Sequence, residues 1–487
     1  RHAPVSSLPQ TSRGTEPGRR HSRAVALSRG LPGFLQRSPT SNPHLPGEPN
    51  KPEVQVPADQ VFPILKENIL VDGFHLVIDL EQSRGSTIVG ALEGKKYLDC
   101  YGYFATLPVG HNHPKMEDEG FRKTLMTAAL ANPANSDIYS RQYAAFVKIF
   151  RELAVPPAFR YLFFVAGGAL AVENAMKAAF DWKVQKNRAK GIEGGGDKIL
   201  HFKDAFHGRS GYTLSVTNTD PTKTRDFPKF DWPRVSTPFI EPDLDDAGMA
   251  AKEARTFAEI DEAFARDPHG IAAILIEPIQ CEGGDHHFRS EFFAKLREYA
   301  DQKDVLLIFD EVQTGLGATG KLWAYEHAGV TPDLIAFGKK TQVCGVMSTR
   351  RIDEVEKNVF KVSSRINSTW GGNLVDMVRC ARYLQIIHED GLVENAARVG
   401  DYLKSGLSKL AHDFPQVTNV RGRGLMLAFD LPDGAMRGKV QGACWDRGLA
   451  VLVCGSRSIR MRPSLVFTEA EADQVLSTLR EVLTGLA

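Results

Sequence analysis

Between residues 160 and 340, short apolar runs alternate with stretches whose apolar residues recur at helical spacing. The runs at 162–165, 199–202, 271–277, 305–309 and 334–337 predict strands, and the stretches at 169–188 and 291–302 predict helices. Continuous apolar strands separated by helices are the pattern of an α/β domain with a largely parallel sheet covered on both faces. Beyond residue 420 the rhythm changes to a smaller unit, with strands predicted at 424–429, 449–453 and 459–462 and a closing amphipathic helix from Glu469. Val475, Leu476, Leu479, Val482 and Leu483 recur there at the spacing of one helix face and are its expected buried side. No internal repeat of fixed period accompanies this order.

Composition narrows the class. A chain of 487 residues with 42% hydrophobic content can hold two or three domains and bury a large core. Its 60 basic and 59 acidic residues leave a formal charge of +1, no footprint for nucleic acid or an anionic membrane, so small-molecule partners are expected. Six cysteines stand singly, without metal or redox spacing and without a disulfide framework, which fits a reducing, cytoplasmic setting. No apolar run approaches the roughly 18 residues of a membrane span. Residues 1–50 differ, being rich in Pro, Ser and Arg, with Glu16 and Glu48 as their only acids. A disordered extension is expected there rather than a targeting helix, because Pro32, Pro39, Pro43 and Pro46 would interrupt one.

Candidate chemistry gathers at the strand ends. The apolar run from Val305 stops abruptly at Asp310 and Glu311. Ligands of parallel α/β sheets sit at the carboxyl ends of strands, where a carboxylate can pair with a protonated ring nitrogen; a merely solvated strand end is the alternative. The next run ends in Gly338, Lys339 and Lys340. A lysine desolvated beside such a strand has a lowered pKa and can act as nucleophile and proton carrier. One helix and one strand separate Asp310 from Lys339, which would bring both to one sheet edge. Upstream, Gly167 and Gly168 lie between a strand and a helix, where bare N–H groups can hold a phosphate or simply form a turn. Phe206, His207 and Arg209 follow the next strand. A ring there could stack on a planar cofactor and the guanidinium could grip a carboxylate, or both could be ordinary packing and surface.

Taken in order, six segments resemble the class III aminotransferases of the fold-type-I pyridoxal-phosphate enzymes, over roughly residues 60 to 487. They are Gly167-Gly168-Ala169, Phe206-His207-Gly208-Arg209, Glu277-Pro278-Ile279-Gln280, Asp310-Glu311-Val312-Gln313-Thr314-Gly315, Gly338-Lys339 and Asn367-Ser368-Thr369-Trp370-Gly371-Gly372-Asn373. Within the class, the segments around Gly167, Lys339 and Asn367 look more like the lysine 6-aminotransferase branch than the ornithine or 4-aminobutyrate branches. The resemblance implies an α/β fold with a large, mostly parallel-sheet domain and a smaller α+β C-terminal domain. It divides the chain into an extension (1–55), an N-terminal segment of the small domain (56–105), the large cofactor-binding domain (106–375) and the C-terminal small domain (376–487).

The same resemblance implies the site. Lys339 would be the Schiff-base lysine, Asp310 the partner of the pyridine nitrogen and Gln313 that of the ring's phenolic oxygen. Gly167, Gly168 and Ala169 would hold the phosphate, His207 or Phe206 would cover the ring face, and Glu277 would complete the pyridoxal-phosphate site. Thr369 would reach the phosphate of a partner subunit, which implies a homodimer with shared sites. Substrate contacts would come from Arg209, Gln313, Glu282, Arg460 and Asn367. The expected reaction moves the terminal amino group of L-lysine to 2-oxoglutarate. Glu282 is expected to pair with Arg460 while an ω-amine reacts and to release it for the α-carboxylate of 2-oxoglutarate; a purely structural bridge is the alternative. Two positions depart from the family pattern: Cys281 stands where a glycine is usual, and Ala318 where an arginine is. The competing functions are another ω-aminotransferase and an inactive paralogue that binds without catalysis.

Overall fold

In the computed structural model, which describes residues 56–486, the apolar runs form the middle of a seven-stranded sheet. The expected extension over residues 1–55 lies outside the described residues. The strands are ordered Phe159–Val165, Cys344–Thr349, Leu334–Phe337, Leu306–Glu311, Ile271–Ile276, Lys198–Phe202 and Arg234–Val235. From Leu334–Phe337 onward every neighbour is parallel. Cys344–Thr349 runs antiparallel to both its neighbours and was not among the strands predicted from the sequence. It holds Gly345, Ser348 and Thr349 rather than a continuous apolar run, and its burial comes from the sheet on either side.

Along the central strands, successive residues feed two different cores. Leu307, Phe309, Ile335 and Phe337 point to one, and Leu306, Ile308, Leu334 and Ala336 to the other. That alternation is the period of two built into the pleat, and it explains why both faces had to be apolar. Helix Gly168–Ala189 covers the second face with Ala171, Val172, Ala175, Met176, Ala178 and Ala179, small side chains that let its axis lie close to the sheet. Helix Ser290–Gln302 covers the first with Phe292, Phe293 and Leu296. Each such large apolar side chain contributes about 1.5–3 kcal/mol by leaving water.

The C-terminal residues build a second, antiparallel sheet, ordered Thr418–Arg423, Met426–Asp430, Ser458–Met461 and Leu452–Cys454. One predicted strand, 449–453, is in fact two. Leu449–Ala450 pairs in parallel with Lys96–Asp99 in a three-stranded sheet, and Leu452–Cys454 joins the antiparallel one. The first pairing ties the segment before residue 105 to the C-terminal region. Helix Glu469–Leu486 buries Val475, Leu479, Val482 and Leu483, while Leu476 is only half-buried and packs beside Gly406 at the edge of the interface. Among the described residues no helix is long and apolar enough to cross a membrane.

Candidate active site

Register places the chemistry before any side chain is considered. Ile276 pairs with Phe309, Asp310 with Ala336 and Glu311 with Phe337, so the strand ends carrying Glu277, Asp310 and Lys339 lie side by side. Asp310 and Glu311 then part company, because neighbouring strand residues face opposite sides. Glu311 is fully buried and braces the following loop, accepting from Thr314 Oγ1 at 3.0 Å, Ala324 N at 2.7 Å and Tyr325 N at 2.8 Å. Asp310 faces a cavity of about 490 Å³.

That cavity is lined by most of the expected cofactor residues: Gly167, Gly168, Ala169, Phe206, His207, Glu277, Asp310, Gln313 and Lys339. Lys339 adopts φ +53°, a left-handed conformation uncommon outside glycine, as the chain turns sharply after Gly338. Burial pushes its amine down to about 8. Lys340 turns the other way, is buried, and donates from Nζ to the Gln313 carbonyl at 2.8 Å. On the opposite side, Asp310 Oδ2 accepts from His207 Nδ1 at 2.8 Å and Oδ1 accepts from Val312 N at 3.0 Å. His207 is thereby tied to the carboxylate, its Nε2 left without a partner. The Phe206 backbone N–H donates to Glu277 Oε1 at 2.9 Å.

Glu277 holds two loops at once, its other oxygen accepting from Cys281 N at 3.2 Å. Burial raises its carboxyl to about 7. Helix Gly168–Ala189 points its N-terminus at the cavity, and no side chain caps it. The turn at Gly208 packs onto that N-terminus with φ +121°; a Cβ there would come within 2.5 Å of Ala169 Cβ. These features fit pyridoxal 5′-phosphate: uncapped N–H donors for a phosphate, a carboxylate with free lone pairs for a ring nitrogen, and an amine of lowered pKa at the far end.

Around the substrate side the structure corrects one expectation. Glu282 does not pair with Arg460; its carboxylate is bonded to Lys223 Nζ and accepts from Thr219 Oγ1 at 3.4 Å. The short turn Pro221–Lys223 brings the lysine alongside the glutamate. Arg460 is buried and donates from Nη1 to the Cys281 carbonyl at 3.1 Å and to Gln313 Oε1 at 3.3 Å. Arg462, two residues on, is locked against Asp285. Arg209 is exposed and outside the cavity lining. Thr369 and Asn367 are also exposed and outside it, with Asn367 Oδ1 accepting from Ser368 N at 2.8 Å.

Cys281 proves an easy replacement for glycine. It starts the short helix Cys281–Gly284 with an ordinary φ, while the left-handed positions fall at Gly284 and Asp285. Its buried thiol donates to the Ile279 carbonyl at 3.3 Å. Ala318 is likewise buried, its carbonyl accepting from Leu425 N at 2.9 Å. Six further residues line the cavity without an assigned role: Gly208, Val312 and Thr314, which lie inside the six motif segments, and Thr106, Gln342 and Cys344, which lie outside them. Gln342 Nε2 donates to the carbonyls of Thr106 at 2.9 Å and Lys339 at 3.1 Å, tying a distant loop to the lysine turn. Its place three residues after Lys339 was the only available signal.

Comparison with known proteins agrees with this geometry. A family model for aminotransferase class-III matches residues 71–483. The L-lysine-epsilon aminotransferase of Mycobacterium tuberculosis is 52% identical over 442 residues, spanning 90% of this chain and 97% of that protein. That of Streptomyces clavuligerus is 48% identical over 435 residues, spanning 88% and 95%. A solved lysine aminotransferase from M. tuberculosis in the internal aldimine form matches with a TM-score of 0.88 at 52% identity, covering 89% of this chain and all of that one.

Proposed function

The chain belongs to the class III aminotransferases, pyridoxal-phosphate-dependent transaminases, and from that premise we propose that it moves the terminal amino group of L-lysine to 2-oxoglutarate. The products are 2-aminoadipate 6-semialdehyde and L-glutamate. The observation that carries the substrate is 52% identity to an L-lysine-epsilon aminotransferase sustained over 97% of that protein.

Bound in the cavity, pyridoxal 5′-phosphate supplies an electron-withdrawing ring that acidifies the carbon carrying the amino group. The chain's own residues do the rest. Asp310, steadied by His207, would hold the protonated ring nitrogen, and Gln313 the phenolic oxygen. Gly167, Gly168 and Ala169 would hold the phosphate and Phe206 the ring face. Lys339 Nζ, desolvated to a pKa of about 8, takes the proton from the ω-carbon of lysine, because near neutral pH it can both accept and return one. Glu277 fixes the Phe206 and Cys281 loops relative to each other. Arg460 suits the α-carboxylate of 2-oxoglutarate, and Arg209 a distal carboxylate once the site is complete.

A homodimer is part of the same proposal. Thr369 and Asn367 are exposed beside a half-exposed Trp370, the disposition expected of residues that complete a neighbour's site. A cytoplasmic setting is supported by six cysteines that are all unpaired. The test is product analysis with equimolar lysine and 2-oxoglutarate, against ornithine and 4-aminobutyrate. Glutamate and semialdehyde should form one for one, with lysine giving the highest kcat/KM; a higher value for either competitor would move the chain to another branch.

A further inference from the structure

Glu282 is held by a residue that neither the motifs nor the reaction scheme assigns. Lys223 closes the turn Pro221–Lys223, whose first N–H groups are organised by Asp220, Oδ1 accepting from Thr222 N at 2.9 Å. Its ammonium bonds the Glu282 carboxylate and lies 5.7 Å from the centre of the ring of Phe206, which lines the cavity. Thr219 adds a hydrogen bond to the same carboxylate oxygen.

The backbone beneath the glutamate is packed closely on both sides. The Glu282 carbonyl accepts from Gly455 N at 3.0 Å, and a Cβ on Gly283 would lie 2.0 Å from the Asp204 carbonyl, so the chain is clamped on both sides. Only the side chain is free to choose a partner. Arg460, bonded to the carbonyl of the preceding Cys281, is buried with two neutral acceptors, an Nε–H without a partner and no carboxylate among the described residues. A buried guanidinium without a counter-charge is costly unless an anion arrives.

Building on the reading above, we propose that Lys223 is a positioning residue that draws Glu282 away from Arg460, so that competition between two cations for one carboxylate sets which substrate the site accepts. With Glu282 on Lys223, Arg460 is open to the α-carboxylate of a dicarboxylate. With Glu282 on Arg460, the guanidinium is neutralised and an uncharged ω-carbon can lie beside it. Lys223 therefore shifts the site toward 2-oxoglutarate and away from the amine donor, without touching a reacting atom. Burial lowers the pKa of Lys223, the neighbouring Asp220 opposes this, and the nearby charges of Arg209 and Arg460 add to it.

The test uses the cofactor-loaded full chain and glutarate, an unreactive five-carbon dicarboxylate, titrated by calorimetry. Lys223→Met keeps the stem and removes the charge. It should weaken glutarate about tenfold and raise the KM for 2-oxoglutarate similarly, while lowering the KM for lysine, a shift of opposite sign in the two halves. Lys223→Arg should restore both values. In a Glu282→Gln background the substitution should have little further effect, because no carboxylate remains to be partitioned. Weakening of glutarate in that background equal to that in the wild type would overturn the proposal in favour of direct contact with substrate. So would an equal slowing of both halves, or no change in either. Glutarate binding does not depend on the amine donor, so if lysine proves not to be the substrate the competition is still decided by the titrations.

Discussion

Lys339 and Lys340 are adjacent in the chain and opposite in position. The turn at Gly338 aims the first into the cavity and the second into the protein, against the Gln313 carbonyl. Lys339→Ala should abolish turnover and covalent capture of the cofactor aldehyde, whereas Lys340→Met should retain capture, which absorbance on adding cofactor to the apoprotein will read. With Lys339 lowered to about 8, the wild-type capture rate should rise with pH and level off above that value, since only the neutral amine attacks. Glu277 offers a stability measurement at the same scale. Burial raises its carboxyl from 4.5 to about 7, so the folded chain binds this proton more tightly than the unfolded one. The contribution is complete below pH 4.5 and is lost as pH climbs to about 7, by roughly 3 kcal/mol at most. Glu277→Gln should therefore lack this slope in apoprotein melting curves taken across that window. Parallel wild-type and variant curves would show that folding does not raise the pKa of this acid.

The helix Gly168–Ala189 is the element proposed to hold the phosphate of the cofactor. Its first N–H groups face the cavity with no capping side chain, because the N-cap is Gly167, and at Gly168 a Cβ would meet Val312 Cγ1 at 2.8 Å. Gly168→Ala should press on Val312, the residue whose N–H donates to Asp310, and disturb the phosphate end and the carboxylate together. Cofactor affinity is expected to fall about tenfold or more, by analogy with the loss of about 1.5–3 kcal/mol for a charged hydrogen bond. Fluorescence titration of the apoprotein with pyridoxal 5′-phosphate measures this, and inorganic phosphate should compete less well in the variant. The strands that frame the helix were legible because each is a short apolar run. Cys344–Thr349 was not, since its polar residues are buried by neighbours and not by any pattern of their own.

At the scale of the whole molecule, the exposed positions of Thr369 and Asn367 make a prediction about assembly. If each cavity is completed by a neighbouring subunit, mixing Lys339→Ala chains with Thr369→Ala chains should produce hybrid dimers in which one site carries both changes and the other neither. Refolded mixtures should then recover about half the wild-type activity per hybrid, although Lys339→Ala alone has none. Recovery no greater than the sum of the parent dimers would place Thr369 outside the partner's site. The joining of Lys96–Asp99 to Leu449–Ala450 belongs to this scale too, because it binds segments some 350 residues apart into one sheet.

The order of apolar runs and helical stretches was enough to determine the α/β architecture, since a buried parallel strand must be apolar on both faces. Short motifs marked the lysine turn, the strand-end aspartate and the helix N-terminus as candidates and the family resemblance gave them roles; the structure brings all three to one cavity. Partner choice among charges was not determined in this way. Motif resemblance put Glu282 on Arg460 and did not single out Lys223; the turn at Pro221–Lys223 overrides that pairing by bringing Lys223 alongside. Nor could Gln342, Thr106 and the two fates of Lys339 and Lys340 be read from spacing, since they depend on how distant loops and one left-handed residue aim side chains in space. Local pattern selects elements because burial is a property of each run, whereas contacts between loops exist only after the sheet has placed their ends.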